Sequence, residues 1–258
     1  MFNNLTFFSP LEQFEIYPIF FLKNNFYDVS ITNQTMFLFL FLIFFLLFIK
    51  SSVKSNDKTL YVVPTRWQLI IEFFYSLILT MVVDNISSKT AQKFFPLVFT
   101  LFFFIASLNL IGLVPYSFTV TSHFAVTLSL SLSVFIGINI ISVLKHKLSF
   151  FSLFLPSGTP LAMAFLLVPI EFFLYFFKPF SLAIRLFSNL MAGHTLLKIF
   201  AGFAWSLMSF TGVLFFFHYI PLLSLIPLFG LEFGVALIQA FVFSLLTCIY
   251  INDAINLH

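Results

Sequence analysis

The most informative residue of the sequence is a charged side chain in an apolar run. Arg185 lies within a run of mostly apolar residues that begins near Leu161. Arginine stays protonated at physiological pH, so its charge cannot be removed to relieve burial. At the centre of a bilayer such a charge costs roughly 2.5–3.5 kcal/mol on insertion scales. Arg185 is therefore expected to face a partner charge, a water-filled cavity or an ion path.

Further polar side chains lie along the same predicted helix. Glu171 and Lys178 precede Arg185 by fourteen and seven residues, and Asn189 follows it by four. At about 100° per residue these spacings place all four side chains on one helix face. His194 comes nine residues after Arg185. It points to the opposite face, about 13 Å further along the axis.

The last apolar run repeats this arrangement. Glu232, Gln239 and Asp253 lie within about 60° of one another on a helix. They extend over about 31 Å, which matches the hydrocarbon depth of a bilayer. Each of the two long segments thus carries titratable groups along its length, with Arg185 and Gln239 near the middle.

This pattern is typical of stepwise proton movement. Protons pass between carboxylates, imidazoles and water when the pKa values of these groups lie close together. Arg185 cannot take part as a step, because it does not release its proton. Its fixed charge instead attracts any carboxylate that is brought close in a low dielectric. The pattern predicts two half-routes separated by Arg185, with a mobile carrier between them.

The residues of the first long segment also have structural interpretations. The ammonium group of Lys178 can reach the inner headgroups, and Glu171 can simply pair with Lys178. His194 can donate a hydrogen bond to a backbone carbonyl group. Asn189 can hold helices together rather than serve proton transfer.

The last run has similar alternatives. Gln239 can act as a polar contact between helices. Glu232 and Asp253 can be solvated carboxylates at the outer and inner ends of their helix. For the remaining histidines a structural role is expected: His123, His146, His218 and His258.

Composition defines the class of protein. The 258 residues are 61% hydrophobic and 8% charged, and their mean hydropathy is +1.10. Soluble domains carry about 25% charged residues. The chain is therefore predicted to be an all-α integral membrane protein with one membrane domain over 1–258. The net charge of +3 is too small to indicate nucleic-acid binding.

The sequence indicates no cofactor or metal site. Cys248 is the single cysteine, so an intramolecular disulfide and a multi-cysteine metal site are excluded. A P-loop is absent, so nucleotide catalysis is not expected on this chain. No cleavable signal or Arg-rich transit peptide is recognisable at the N-terminus.

About five membrane helices are predicted. After an exposed segment over 1–30, the first three spans are 31–49, 94–114 and 124–144. Residues 160–257 are predicted to hold two long helices, the second over Leu228–Ile251, because Pro221 and Pro227 interrupt the approach to it. The first of these, from Pro160 to about Leu197, would measure about 56 Å, so strong tilt or bending is expected, with Pro169 and Pro179 as bend points.

Residues 66–90 are predicted to form an amphipathic helix at the inner membrane interface. A polar residue recurs every fourth position, and two of the six are carboxylates: Gln68, Glu72, Ser76, Thr80, Asp84 and Ser88. Two carboxylates disfavour contact with lipid, whereas an interfacial helix keeps them solvated. The alternative is a spanning helix whose polar stripe packs against protein.

Basic residues give the orientation. In this topology eight of the twelve Lys and Arg lie on one side, Lys23 and Lys198 lie on the other, and Lys178 and Arg185 lie within the membrane. The side with the excess is the inner one. The N-terminus is therefore predicted outside, and the C-terminus inside.

Several motifs resemble one known family. The most specific is Ser181–His194, which resembles the signature of the a subunit of F-type ATP synthase in its mitochondrial form. Further matches lie over residues 60–257: Trp67-Gln68 with Glu72, Asn109–Pro115, Ile170-Glu171 with Pro179, Leu231–Phe233 and Ile238–Phe243. Residues 1–30 carry no usable resemblance.

The resemblance implies roles for the polar residues. Arg185 would be the essential arginine that faces the rotor ring of c subunits. His194 and Glu232 would belong to the outer half-channel, and Glu171 and Asp253 to the inner one. The order of histidine before glutamate matches mitochondrial members, because the two residue types are exchanged in bacterial relatives.

The resemblance also implies polar positions beside the arginine at Asn189 and Gln239, and two long helices strongly tilted against the ring. It implies a proton-translocating stator subunit that couples proton flow to rotation and ATP synthesis elsewhere in the complex. Expected partners are the c-ring, peripheral-stalk and other F0 subunits, lipid and protons, in a dimeric complex. The expected location is the mitochondrial inner membrane, with the N-terminus toward the intermembrane space and the C-terminus toward the matrix.

Two other classes of protein remain. A secondary transporter also places charges at mid-membrane, but inverted repeats and paired broken segments are not recognisable. A haem-binding electron carrier needs axial ligands, for which His194 and His218 are the candidates, and a c-type attachment motif is absent. A haem absorbance band from the purified complex would support the second class.

Overall fold

The computed structural model describes residues 9–21, 30–53, 66–86, 88–114, 117–147, 150, 161–209 and 216–256. Lys23, Lys54, Lys58, Pro115 and His258, which entered the topology and site predictions, lie outside this part of the chain.

Six α-helices make up most of the described chain. In chain order they are α1 (Asn33–Val53), α2 (Arg66–Asn85), α3 (Ser88–Gly112), α4 (Phe124–His146), α5 (Leu161–Met208) and α6 (Tyr219–Ile255). Five of them, α2 to α6, are long and apolar enough to cross a membrane, and α1 contributes a shorter apolar stretch. The prediction of an all-α membrane fold is confirmed.

The last two helices are long, as the sequence predicted, and both exceed their predicted bounds. α5 has 48 residues and α6 has 37, which correspond to about 72 and 55 Å. Both exceed the roughly 30 Å of a hydrocarbon core, so neither can stand upright in it. α5 continues past Leu197 to Met208, and α6 begins at Tyr219 rather than Leu228.

The earlier start of α6 has a physical reason. Pro221 lies in the first turn, where a backbone N–H has no helical acceptor and its absence costs little. Pro227 lies inside the helix, which membrane helices tolerate because neighbouring groups satisfy the freed carbonyl. These two prolines therefore lie within α6 and do not mark its start.

α6 is the central helix of the bundle. It packs against α2, α3, α4 and α5. Small side chains recur every fourth residue on its buried face, and Ala236, Ala240, Ser244 and Cys248 are all fully buried. Such a stripe lets neighbouring backbones approach closely, which is how membrane helices associate without a hydrophobic driving force.

α2 packs against α3 through aromatic side chains. The ring of Tyr75 lies 4.9 Å from that of Phe95, and the ring of Phe74 lies 5.7 Å from that of Phe102. Glu72 and Asp84 are exposed, as a solvated polar stripe requires. Length and composition would also let α2 cross a membrane. Its interfacial placement stays a prediction.

Most of the described N-terminal residues, 9–21, are exposed. Residues 9–21 contain a short 3₁₀ helix, Pro10–Phe14, and strand β1, Pro18–Phe20, which pairs antiparallel with β2, Ile31–Thr32, just before α1. By contrast, the connection between α3 and α4 folds into the bundle. Its residues Val120–Ser122 form a buried 3₁₀ helix that contacts α5.

Candidate functional site

The candidate site is formed where α5 and α6 pack antiparallel. His194 of α5 lies beside Glu232 of α6, and Lys178 lies beside Asp253. The two pairs are separated by about 24 Å along α5 and about 31 Å along α6. The structure thus places one titratable pair toward each end of the helix pair, and Arg185 lies between them on α5.

The first pair is largely buried. His194 Nδ1 lies 3.5 Å from Glu232 Oε1, and the two side chains are 14% and 4% exposed. Within the described residues, neither carboxylate oxygen of Glu232 nor Nε2 of His194 has a hydrogen-bond partner. Buried polar atoms of this kind are normally satisfied by ordered water. The alternative interpretation of His194, a hydrogen bond to a backbone carbonyl, is not observed at Nε2.

Gly193 leaves the space that the Glu232 carboxylate fills. A Cβ atom at this position would lie 2.7 Å from Glu232 Oε1 and 3.0 Å from its carboxyl carbon. Real Cβ atoms do not come that close, so a larger residue would displace the carboxylate. The glycine next to His194 thus allows the two side chains to meet.

A partly open cavity adjoins this pair. It has a volume of about 240 Å³, and Asn189, Gly193 and Glu232 line it together with leucine side chains of both helices. One water takes up about 30 Å³ in the liquid, so the cavity holds several. Water here would connect the otherwise unpartnered Glu232 carboxylate to Asn189.

The second pair joins α5 and α6 on the other side of Arg185, near the C-terminal end of α6. Lys178 Nζ lies 3.5 Å from Asp253 Oδ2, and the side chains are 32% and 36% exposed. The ammonium also lies 5.4 Å from the ring centre of Tyr175 and 4.9 Å from that of Tyr250. Both distances fall within cation–π range.

This pairing corrects two interpretations of the sequence. Glu171 does not pair with Lys178, because the lysine turns toward Asp253 on the neighbouring helix. Asp253 is not merely a solvated helix end, because it is half of an ion pair. Glu171 is half-buried on α5 and forms no salt bridge in the described part of the chain.

Arg185 differs from both pairs in its exposure. Its side chain is exposed on the surface of α5, whereas its neighbour Leu186 is buried. Among the described residues no carboxylate lies within salt-bridge distance of the guanidinium. The charge is thus presented outward from this chain. His194 packs toward α6, which agrees with its predicted position on the opposite face.

Polar residues beyond the predicted set support the site. Asn109 of α3 is buried and donates a hydrogen bond of 3.2 Å to the carbonyl of Ala236, one turn after Glu232. The hydroxyl of Tyr175 donates to Asn139 of α4. Gln239, midway along α6, is half-buried, and no described residue lies within hydrogen-bonding distance of it.

The end of α6 is tied to α4. Lys145 Nζ donates a hydrogen bond of 2.9 Å to the carbonyl of Ile255, and His146 Nε2 lies 3.0 Å from the same oxygen. Cationic and N–H donors are favourable at a helix C-terminus, where carbonyls lack helical partners. This contact lies two residues beyond Asp253 and fixes the helix end that carries it.

His123, just before α4, lies outside the membrane-spanning segments. Its ring stacks on Phe118 at 5.2 Å between centroids. Burial lowers the pKa of His123, because removal from water disfavours the charged imidazolium. The ring is therefore neutral at neutral pH, in agreement with the structural role expected for it.

Comparison with known proteins decides the family. The model of the ATP synthase A chain family matches residues 34–252. The chain belongs to this family. Its subunit a relatives include that of Chondrus crispus, 49% identical over 250 residues, with 97% of each chain covered. That of Pylaiella littoralis is 52% identical over 258 residues, covering 97% of this chain and 99% of its own.

The liverwort Marchantia polymorpha has a similar subunit a, 47% identical over 252 residues, covering 97% of this chain and 99% of its own. These matches confirm the resemblance drawn from the motifs and extend it toward the N-terminus, because the family match begins in α1. Among the described residues of this family member, no group of three or more His, Cys, Asp or Glu could hold a metal ion.

Proposed function

We propose that this member of the ATP synthase A chain family forms two offset proton half-channels against the rotor ring and couples proton flow to rotation. The observation that carries the proposal is the placement of Arg185, outward-facing and without a salt bridge in the described chain, between two titratable pairs toward opposite ends of α5 and α6. A fixed cation in that position separates two routes.

The outer route uses His194 and Glu232. A proton from the outer side passes through water in the cavity to this pair, with Asn189 as a further polar contact. It then neutralises a carboxylate of the rotor ring. The neutral carboxylate can travel through lipid, because the cost of a buried charge is gone.

The inner route uses Asp253 and Glu171. The rotor carboxylate releases its proton there after almost one turn of the ring. Arg185 favours the ionised carboxylate by direct attraction and cannot carry a proton past itself. Gln239 contributes a polar side chain on α6 beside the path of the carboxylate. Lys178 orients Asp253 through the ion pair.

Membership of the family supports the proposed setting. The chain works with the c-ring, peripheral-stalk and other F0 subunits in the mitochondrial inner membrane, as part of a dimeric complex. Its N-terminus lies toward the intermembrane space and its C-terminus toward the matrix. ATP is made on another subunit.

Sidedness of chemical access tests the two half-channels. In a Cys248→Ala background, single cysteines are introduced at Val235, which lines the outer cavity, and at the half-buried Tyr250, beside the Lys178–Asp253 pair. The assembled complex in oriented vesicles is treated with a small membrane-impermeant thiol reagent from either side. Val235→Cys is expected to react only from the outer side, and Tyr250→Cys only from the inner side.

The matched control is Ala106→Cys, a buried position of α3 that lines neither route and should react from neither side. Reaction of both route positions from the same side would contradict two offset half-channels. Reaction of each from both sides would indicate a continuous pore.

Gly193→Ala tests the geometry of the outer pair. The added methyl group is expected to push the Glu232 carboxylate away from His194. Its carbon would lie only 2.7 Å from Glu232 Oε1 if the carboxylate stayed where it is. A shift of about 1 Å at a reacting group can lower a rate about 100-fold. We expect passive proton flux through reconstituted complexes to fall about 10- to 100-fold.

Stability distinguishes this effect from misfolding. Alanine is the better helix former by roughly 1 kcal/mol, so Gly193→Ala should leave the melting temperature unchanged or higher. Gly202→Ala on the same helix has open space around its Cβ position and serves as the control. Equal proton flux in both variants would show that Gly193 does not set the geometry of the pair.

A further inference from the structure

A second cavity lies far from the His194–Glu232 pair, between α3 and α4. It has a volume of about 280 Å³. Two helices form its walls, and Ile251 of α6 closes its floor. The wall residues are Phe94, Leu97, Thr100, Leu101, Ser133, Val134, Gly137, Ile138 and Ile141. We call this cavity the α3–α4 crevice.

The crevice exists because α3 and α4 both pack on α6 but scarcely touch each other. Gly137 widens it, since a Cβ atom there would meet nothing within 4 Å. Leu97 and Ser133 are exposed, so the crevice opens sideways on the surface of the bundle. In a membrane this opening faces acyl chains.

The wall is mostly apolar, and its two hydroxyl groups already donate hydrogen bonds. The hydroxyl of Thr100 donates to the carbonyl of Leu97 at 2.9 Å, and that of Ser133 donates to the carbonyl of Leu130 at 2.8 Å. Both hydroxyls are thus satisfied within their own helices. An apolar groove about 10 Å long remains along α3, from Phe94 to Leu101.

Basic side chains surround one end of the crevice. Lys93 directly precedes Phe94 and is exposed, and Lys145 and Lys147 follow Ile141 by one turn and more, also exposed. Lys145 uses one of its three N–H donors on the Ile255 carbonyl and keeps two. The carboxylates Asp84 and Asp253 lie toward the same end, but Asp253 is paired with Lys178.

We propose that the α3–α4 crevice binds an anionic phospholipid. One acyl chain lies in the crevice, and the phosphate headgroup lies between Lys93 and the lysines at the end of α4. Basic pockets between membrane helices bind anionic headgroups in this way. A lone apolar groove would accept any lipid, whereas the three lysines select for negative charge. The lipid fills the space between two helices that barely contact each other.

Photo-crosslinking tests the site. The assembled complex is placed in nanodiscs of phosphatidylcholine that contain a small fraction of diazirine-labelled phosphatidylglycerol or, in parallel, diazirine-labelled phosphatidylcholine. Crosslinks are mapped by mass spectrometry. We expect labelling of the crevice residues Leu97, Leu101, Val134 and Ile141 to be at least about fivefold stronger with phosphatidylglycerol.

Two matched pairs of variants distinguish the contribution of the headgroup to lipid binding from that of the acyl chain. Lys93→Gln with Lys147→Asn should abolish the preference for phosphatidylglycerol, whereas Lys50→Gln at the end of α1 should not. Gly137→Leu should remove labelling of the crevice by both lipids. Gly202→Leu, at another glycine with open space, should leave it unchanged.

Three results would overturn the proposal. Equal labelling by the two lipids would show that the lysines do not select a headgroup. Labelling of the exposed residues Ile136 and Ile140 without labelling of the crevice would show that lipid does not enter it. Absence of crevice labelling by both lipids in the assembled complex would show that lipid does not occupy the crevice.

Discussion

Replacement of Arg185 by alanine is expected to abolish ATP synthesis driven by a proton gradient. The substitution removes the fixed cation between the two titratable pairs while it leaves the pairs themselves in place. Because Arg185 is exposed and forms no salt bridge within the described chain, its loss should leave the fold and the assembly of the complex intact. The measurement is ATP synthesis by reconstituted complexes under an imposed pH difference.

Passive proton flux gives the second readout. Without the barrier a rotor carboxylate can exchange protons with both routes, so flux should persist or rise while synthesis is lost. Arg185→Lys keeps a positive charge but allows proton release when desolvated, so it should not restore tight coupling. Coupled synthesis by the alanine variant at wild-type rates would refute the central role of Arg185.

The second large effect is expected at the outer pair. Glu232→Gln removes a proton acceptor that is only 4% exposed and keeps the size of the side chain. Positioned acid–base groups contribute about 100- to 10,000-fold to proton-transfer rates. We expect proton uptake from the outer side to fall about 100-fold or more, and His194→Ala to slow it and to change its pH dependence.

Exchange of the two residues provides the discriminating control. The side chains lie 3.5 Å apart, so His194→Glu with Glu232→His keeps one imidazole and one carboxylate in the same place. This double variant should conduct more protons than either single exchange variant. If the flux of the double variant falls by the product of the two single-variant losses, the two residues do not act as a pair. If the pH dependence of proton uptake is unchanged in His194→Ala, then His194 contributes only to packing.

The main fold could be predicted from the sequence because membrane helices follow simple rules. Apolar length indicated where most of the long helices lie, and the excess length of α5 and α6 predicted their inclination. The start of α6 was missed because Pro221 and Pro227 suggested an interruption. The packing of α2 on α3 could not be predicted either, since it depends on which aromatic residues meet across two helices.

The site was predictable within each helix and not between helices. Helical periodicity predicted different faces for Arg185 and His194; in the structure Arg185 is exposed and His194 lies beside Glu232 of α6. The ion pair of Lys178 with Asp253 depends on the register of α5 against α6, which no spacing within one helix determines. Tyr175 and Tyr250 were missed, although each precedes a charged member of that pair by three residues.

The hydrogen bonds that join α4 to Ile255 have a mechanical consequence. A ring that turns against α5 and α6, as we propose, would exert a sideways and lengthwise load on them. Slippage of α6 by a single residue, about 1.5 Å, would lengthen both bonds at its last carbonyl beyond useful distance. In the proposed function, α4 would act as a brace that takes up thrust from the moving partner.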